Sequence, residues 1–245
     1  MKKWIKRAAA ALGIAFAVWL TVGMIVEMVT NPRLAYGDFR YRVIANGTAV
    51  QLVRYNGGRE GGLLNRRSPS VQIPSHIGGL PLTRIEVYTF TRISGRTRRG
   101  FSIETVSIPG TVTYIGYGAF TQNLLTSVSI PAGVRTISRR AFSTNRISSL
   151  DLPGTLVYVN GFNVNNLTSL DIPYGVRYIG NWAFRMNQLT SVSIPDSVLD
   201  IGSQAFRHNQ LTEVSVPQHT RVANNAFDSD VTVIRRLYSK TELQP

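Results

Sequence analysis

Prolines fall at Pro109, Pro131, Pro153, Pro173, Pro195 and Pro217, at spacings of 22, 22, 20, 22 and 22 residues. Phenylalanines at Phe120, Phe142, Phe162, Phe184, Phe206 and Phe227 keep step with them. A period near 22 restricts the chain to stacked coils. A unit this short cannot bury its own apolar face and must bury it against its neighbours.

The columns of the repeat say how each coil is built. Ile103, Leu125, Ile147, Leu167, Leu189 and Leu211 stand six before each Pro; Val106, Val128, Leu150, Leu170, Val192 and Val214 stand three before; Ile108, Ile130, Leu152, Ile172, Ile194 and Val216 stand one before. The last two of these are two residues apart, the period of a strand with one face buried. The residues between them are mostly Ser, Thr and Asp and are expected to face solvent. Pro has no amide hydrogen, so it is expected to end each strand's ladder without orphaning a donor. Counted back five from each Phe, the next column reads Ile115, Ile137, Val157, Ile179, Ile201 and Val222. Ala119, Ala141, Gly161, Ala183, Ala205 and Ala226 precede each Phe, small where coils approach closely. One column is polar: Asn123, Asn145, Asn165, Asn187 and Asn209. An Asn at the same point of successive coils predicts a structural ladder of side-chain amides on backbone groups.

Each unit reads roughly LTSVSIPxxVxxIGxxAFxxNx, as in residues 125–145 and 189–209. This text resembles the BspA-like leucine-rich repeat of bacterial surface proteins. Residues 71–90 look like that family's longer first repeat, and residues 39–57 like its opening hairpin, with Asn46-Gly47 as a type I′ turn signal. The expected fold is β-rich: a leucine-rich repeat solenoid with short strands in each coil, preceded by an N-terminal β-hairpin and a transmembrane or signal helix. The chain divides into a basic flank (1–7), a signal anchor or signal peptide (8–29), a hairpin and cap (38–70), the solenoid (71–230) and a C-terminal cap or tail (231–245). The last segment drops the repeat and is expected to close the stack with charge. The resemblance implies adhesion to host or neighbouring-cell proteins, or to extracellular matrix.

Residues 8–26 carry no charge over nineteen positions. As a helix they would span about 28 Å, close to the hydrocarbon thickness of a bilayer. Lys2, Lys3, Lys6 and Arg7 precede them, which orients the N-terminus to the cytoplasm and the rest of the chain outside. The segment reads either as an uncleaved anchor or as a cleaved signal peptide. The repeat domain is therefore expected to be membrane-anchored and extracytoplasmic, or secreted to the cell surface.

The chain has no Cys, so thiolate chemistry, disulfides and Cys-based metal sites are excluded. His76, His208 and His219 have no metal-ligand spacing, and no phosphate-loop, dinucleotide or nucleophile-elbow motif occurs. No catalytic residue, metal or cofactor is expected. Asp151 and Asp171 occupy equivalent positions of adjacent units and are expected side by side, where a solvated polar face explains them better than an acid/base pair or a calcium site of six or more ligands.

Binding surfaces remain. The net charge of +14 is concentrated: residues 33–99 carry +9, and residues 100–245 only +2. Arg92, Arg96, Arg98 and Arg99, on what reads as a flexible inserted loop, form one candidate site for a polyanion. An extracytoplasmic location suits an acidic glycan or anionic lipid better than nucleic acid. The second candidate is a protein-binding ridge of Tyr114, Arg135, Tyr174, Arg177, Tyr178, Trp182 and Arg185, residue types favoured at binding hot spots. The expected partners are a protein or matrix ligand or an acidic glycan, with the membrane engaged through the N-terminal helix. A structural role in envelope assembly is the alternative.

Overall fold

The computed structural model describes residues 34–36, 39–55, 70–94 and 97–237. The segment 8–29 lies outside the described residues. Among the described residues no helix is long and apolar enough to cross a membrane.

The coils stack in register. Their continuous feature is a parallel sheet of very short strands: Leu80–Ile85, Tyr114–Ile115, Thr136–Ile137, Tyr158–Val159, Tyr178–Ile179, Asp200–Ile201 and Arg221–Val222. The strands before the prolines form a second ladder that is interrupted: Ser70–Gln72 pairs with Thr105–Ser107, Ser127–Ser129 with Ser149–Asp151, and Glu213–Pro217 with Thr232–Arg236, all parallel. Asp171 meets Ser193 in a lone bridge. Asp151 and Asp171 do not pair with each other: the ladder breaks between their coils. The last coil departs from the rule that Pro ends the ladder, since its strand runs through Pro217 to pair with Arg236.

The register corrects one column. Val159, not Val157, aligns with Ile179, and Tyr158 aligns with both Thr136 and Tyr178. Val159 is fully buried while Val157 is half-buried. The two missing residues of this unit are thus lost from the turn between Val159 and Phe162. Gly161 sits there with φ +90°, and a Cβ on it would stand 2.5 Å from both Ala141 N and Ser138 O. The shortened turn therefore requires glycine, for backbone conformation as well as space.

The phenylalanines form a spine. Phe90, Phe120, Phe142, Phe162, Phe184, Phe206 and Phe227 stack at centroid distances of 4.5 to 5.8 Å with rings within 16° of parallel. Each Phe amide donates to the residue before the next Phe, as Phe120 N does to Ala141 O at 2.7 Å and Phe142 N to Gly161 O at 2.9 Å. The asparagines bond in the opposite direction. Asn165 Nδ2 donates to Phe162 O of its own coil (3.0 Å) and Phe142 O of the preceding one (3.1 Å), while its Oδ1 accepts from Ile147 N (3.0 Å). Asn123, Asn145, Asn187 and Asn209 repeat this pattern on their own neighbours. Leaving such a buried group unpaired costs about 1–3 kcal/mol, and each Asn satisfies three.

The N-terminal end is sealed by antiparallel strands. Leu34–Tyr36 pairs with Phe39–Ile44, which pairs with Ala49–Tyr55; that strand then runs parallel to Leu80–Ile85. Tyr55 packs on Phe90 at 5.2 Å and on Phe39 at 5.4 Å, covering the end of the spine. The turn is not a two-residue type I′. Ile44 pairs with Ala49, the loop between them has four residues, and Ala45, Asn46 and Gly47 all have positive φ. Thr48 closes it by donating from N (3.2 Å) and Oγ1 (2.7 Å) to Ala45 O.

The C-terminal end closes differently. Its strand Thr232–Arg236 carries charge that folds inward: Arg236 Nη2 donates to Asp196 Oδ1 at 2.7 Å, and Arg235 Nη1 to Thr220 O at 2.6 Å. The same segment exposes Val233, Ile234 and Leu237. A cavity of about 470 Å³ opens at this end, where Val222, Phe227, Val231 and Val233 line it together with Arg207, Asn225, Asp228 and Arg235. The expected polar cap is therefore partly apolar.

Candidate binding surface

The outward side of the main sheet is built by two rows of residues. Strands only two residues long point one side chain, the branched aliphatic, into the core and the one before it outward. The outward row runs Arg84, Tyr114, Thr136, Tyr158, Tyr178, Asp200 and Arg221. One residue earlier in each coil a second row runs Thr113, Arg135, Val157, Arg177 and Leu199, joined by hydrogen bonds such as Val157 N to Arg135 O and Arg177 N to Val157 O, both 2.9 Å.

The ends of this surface are neutralised. Arg84 lies over the Tyr114 ring at 3.9 Å and bonds Glu86 Oε1 at 3.2 Å. Arg221 Nε bonds Asp200 Oδ2 at 2.6 Å. The middle is not: among the described residues, neither the Arg135 nor the Arg177 guanidinium has a hydrogen-bond or ion-pair partner. Tyr174 and Tyr178 are 52% and 44% exposed beside Arg177, too open for aromatic side chains that serve only the core. Burial raises the Tyr41 phenol above its usual value, but Tyr41 lies in the N-terminal hairpin, away from this surface.

Four of the seven ridge residues thus lie in these two rows, Tyr114 and Tyr178 in the outward one and Arg135 and Arg177 in the adjoining one, while Tyr174 stands on the turn after Pro173 that leads into them. Trp182 lies in the turn before Phe184, and Arg185 just beyond that Phe, where its Nη1 contacts Met186 Sδ at 3.1 Å. Sequence reading missed Tyr158. Counting six forward from Pro153 rather than five back from Phe162 would have placed Val159 in the core and Tyr158 outside. Arg139, one of the arginines of the connecting segments, stands outside the expected ridge. The short turn at Gly161 leaves a notch in the line of turns, and Arg139 crosses it to stack on Trp182 at 4.1 Å. Asn160 floors the notch, only 2% exposed; its Oδ1 accepts from Gly161 N at 2.7 Å and its Nδ2 donates to Tyr158 Oη at 3.2 Å.

The side formed by the pre-proline strands has opposite character. Within the five residues before each of the six prolines stand Glu104, Asp151, Asp171 and Glu213, and no Lys or Arg. Ser129 Oγ donates to Asp151 Oδ2 at 3.3 Å. Among the described residues no three His, Asp or Glu side chains come together as a metal site. His219 Nε2 is 2.9 Å from Asp196 O, and His76 Nδ1 is 3.1 Å from Ser75 Oγ. The pre-proline side thus carries acid and no arginine, while Arg135 and Arg177 stand on the main sheet, where Asp200 is paired with Arg221.

The basic insertion is not an open loop. Thr91–Ser94 and Thr97–Gly100 pair antiparallel, with Arg92 opposite Arg99 and Ile93 opposite Arg98. Arg96 lies outside the described residues.

Stacked short-strand coils, an aromatic spine and an asparagine ladder define a leucine-rich repeat solenoid. The model of the BspA type leucine rich repeat region matches residues 83–198 and 124–235, in six copies, and the chain belongs to that family. No curated protein matches the chain by sequence. Among solved structures, the Treponema pallidum leucine-rich repeat protein TpLRR is similar with a TM-score of 0.56 and 22% identity, over 82% of this chain and 85% of that one. The pneumococcal vaccine antigen PcpA is similar with a TM-score of 0.53 and 16% identity, over 86% of this chain and 51% of that one. A leucine rich cell surface protein of Faecalibacterium prausnitzii matches with a TM-score of 0.34 and 16% identity, over 84% of this chain and 76% of that one.

Proposed function

We propose that the chain is a non-enzymatic binding protein displayed outside the cytoplasm, which holds a macromolecular partner on the Arg/Tyr side of its main sheet and serves adhesion or protein–protein interaction. The observation that carries this reading is the unpaired Arg135 and Arg177 beside exposed Tyr174 and Tyr178, fixed on backbone that is bonded to the coils on either side. Such a surface loses little conformational entropy on binding. Residues 8–26 and their basic flank supply the anchor or export signal. That a structural relative is a vaccine antigen agrees with surface display.

Two measurements test this. In intact cells expressing the full chain, external protease should remove the repeats, or the repeats should appear in the medium; protection of the repeats inside the cell would overturn the location. On an array of matrix and cell-surface proteins, the chain should bind in a way that Arg135→Ser with Arg177→Ser weakens. A second reading, docking within the cell envelope, is favoured by the exposed Val233, Ile234 and Leu237 at the C-terminal end. It predicts binding that Ile234→Ser abolishes and the Arg pair does not affect.

A further inference from the structure

We infer that the Arg/Tyr side of the main sheet is a site for an acidic polysaccharide lying along the solenoid axis, with Arg135 and Arg177 as its two anion contacts. This rests on the binding role proposed above and names the partner's class.

The geometry argues for a linear, periodically charged ligand. Arg135 and Arg177 belong to the same row and are separated by one strand, that of Val157. Neighbouring strands lie about 4.8 Å apart, so the two guanidiniums issue from backbone about 10 Å apart, comparable to the length of one disaccharide. Val157 between them is short and apolar and leaves the path clear. The next residue of the row is Leu199, and the next Arg of the sheet, Arg221, is occupied by Asp200. The charge on offer is thus a pair at one spacing, not a diffuse patch.

The chemistry of the surroundings fits sugar. Exposed Tyr174 and Tyr178 offer flat rings for the C–H face of a pyranose and hydroxyls for its oxygens, an amphipathic use of tyrosine. The cavity of about 470 Å³ lies at the C-terminal end, not on this side. A protein hot spot favours a desolvated pocket, whereas a flat row of exposed rings and unpaired guanidiniums suits an extended polymer. Asp200, the acidic residue of this sheet's outward row, is held by Arg221, so a polyanion approaching Arg135 and Arg177 meets little unpaired negative charge.

The test uses the full chain in detergent or nanodisc, with hyaluronan, which carries one carboxylate per disaccharide, as probe. Poly-glutamate and neutral dextran serve as comparators. Hyaluronan binding should weaken about tenfold or more in Arg135→Ser/Arg177→Ser, with a shallower dependence on salt. The charge-matched control Arg40→Ser/Arg146→Ser, both exposed residues elsewhere on the fold, should change it by less than about threefold. Tyr178→Ala should weaken hyaluronan but not poly-glutamate. Thermal melts of all variants establish that they fold. Equal loss in both Arg pairs would overturn the proposal in favour of net charge alone. Loss only in Arg92→Ser/Arg96→Ser/Arg98→Ser/Arg99→Ser would move the site to the basic hairpin. Poly-glutamate binding as tight as hyaluronan, and as dependent on Arg135 and Arg177, would replace the glycan with an acidic protein. Failure to bind hyaluronan while an arrayed protein binds through the Arg pair would sink this inference and leave the binding role standing.

Discussion

The inside and the outside of each coil obey different rules. Inside, Phe, Asn and the branched aliphatic after the proline recur in coil after coil, and each makes the same bonds to the coils before and after. Outside, the position just before that aliphatic holds Tyr, Thr, Tyr, Tyr, Asp and Arg in succession. Residues that repeat build the stack, and residues that vary while staying exposed give it a character of its own. The Arg/Tyr side is therefore a better place to look for function than the strand side, where Ser or Asp fills the position before the last aliphatic in every coil.

The comparison breaks most visibly where an interior column is interrupted. Phe142→Ala removes a ring stacked between neighbours at 5.0 and 5.1 Å and should destabilise the fold by about 3–5 kcal/mol in a denaturant titration. Asn165→Ala leaves Ile147 N and the carbonyls of Phe142 and Phe162 without this partner. It should cost about 3 kcal/mol and raise hydrogen exchange at Ile147. Gly161→Ala forces a Cβ against Ala141 N and Ser138 O at φ +90°, and should cost about 2 kcal/mol by the same titration. A smaller change should go the other way. Val164 is a β-branched residue held at φ +58°, where other coils place Gln, Thr, Met or His. Val164→Asn should stabilise by about 0.5 kcal/mol in thermal melts, since Asn tolerates the left-handed region better. The smallest effect sharpens the comparison most: Arg135→Ser with Arg177→Ser should leave stability within about 0.5 kcal/mol, because neither side chain packs or pairs.

Much of this was legible in the sequence because the interior is periodic. The Phe spine and the Asn column are read directly from spacing, since a coil that must match its neighbours repeats the residues that do the matching. Legibility failed where the period slipped. The two-residue loss before Phe162 shifts a column counted from the Phe, so that count puts Val157 in the core and passes over Tyr158. Alternation before the prolines drew attention to the longer strands, yet the continuous sheet is made by two-residue strands too short to show a period. The Gly and Thr among the inserted arginines read as a loop, and only cross-strand pairing, which composition does not encode, makes them a hairpin. Net charge counted along the chain also hid that the pre-proline strands carry no arginine, because side is set by register.

A substitution scan of the full chain, read at once for folding by protease resistance and for binding by retention of a labelled hyaluronan or protein ligand, tests the division between building and binding columns most directly. The account predicts two sets that barely overlap. Folding should be sensitive at Phe120, Phe142, Phe162, Phe184, the five asparagines and Gly161; binding in folded variants should be sensitive at Arg135, Tyr158, Arg177 and Tyr178. Binding that survives every change on the Arg/Tyr side but fails with Ser127, Ser149, Asp151 or Asp171 would contradict it and move function to the opposite side of the stack.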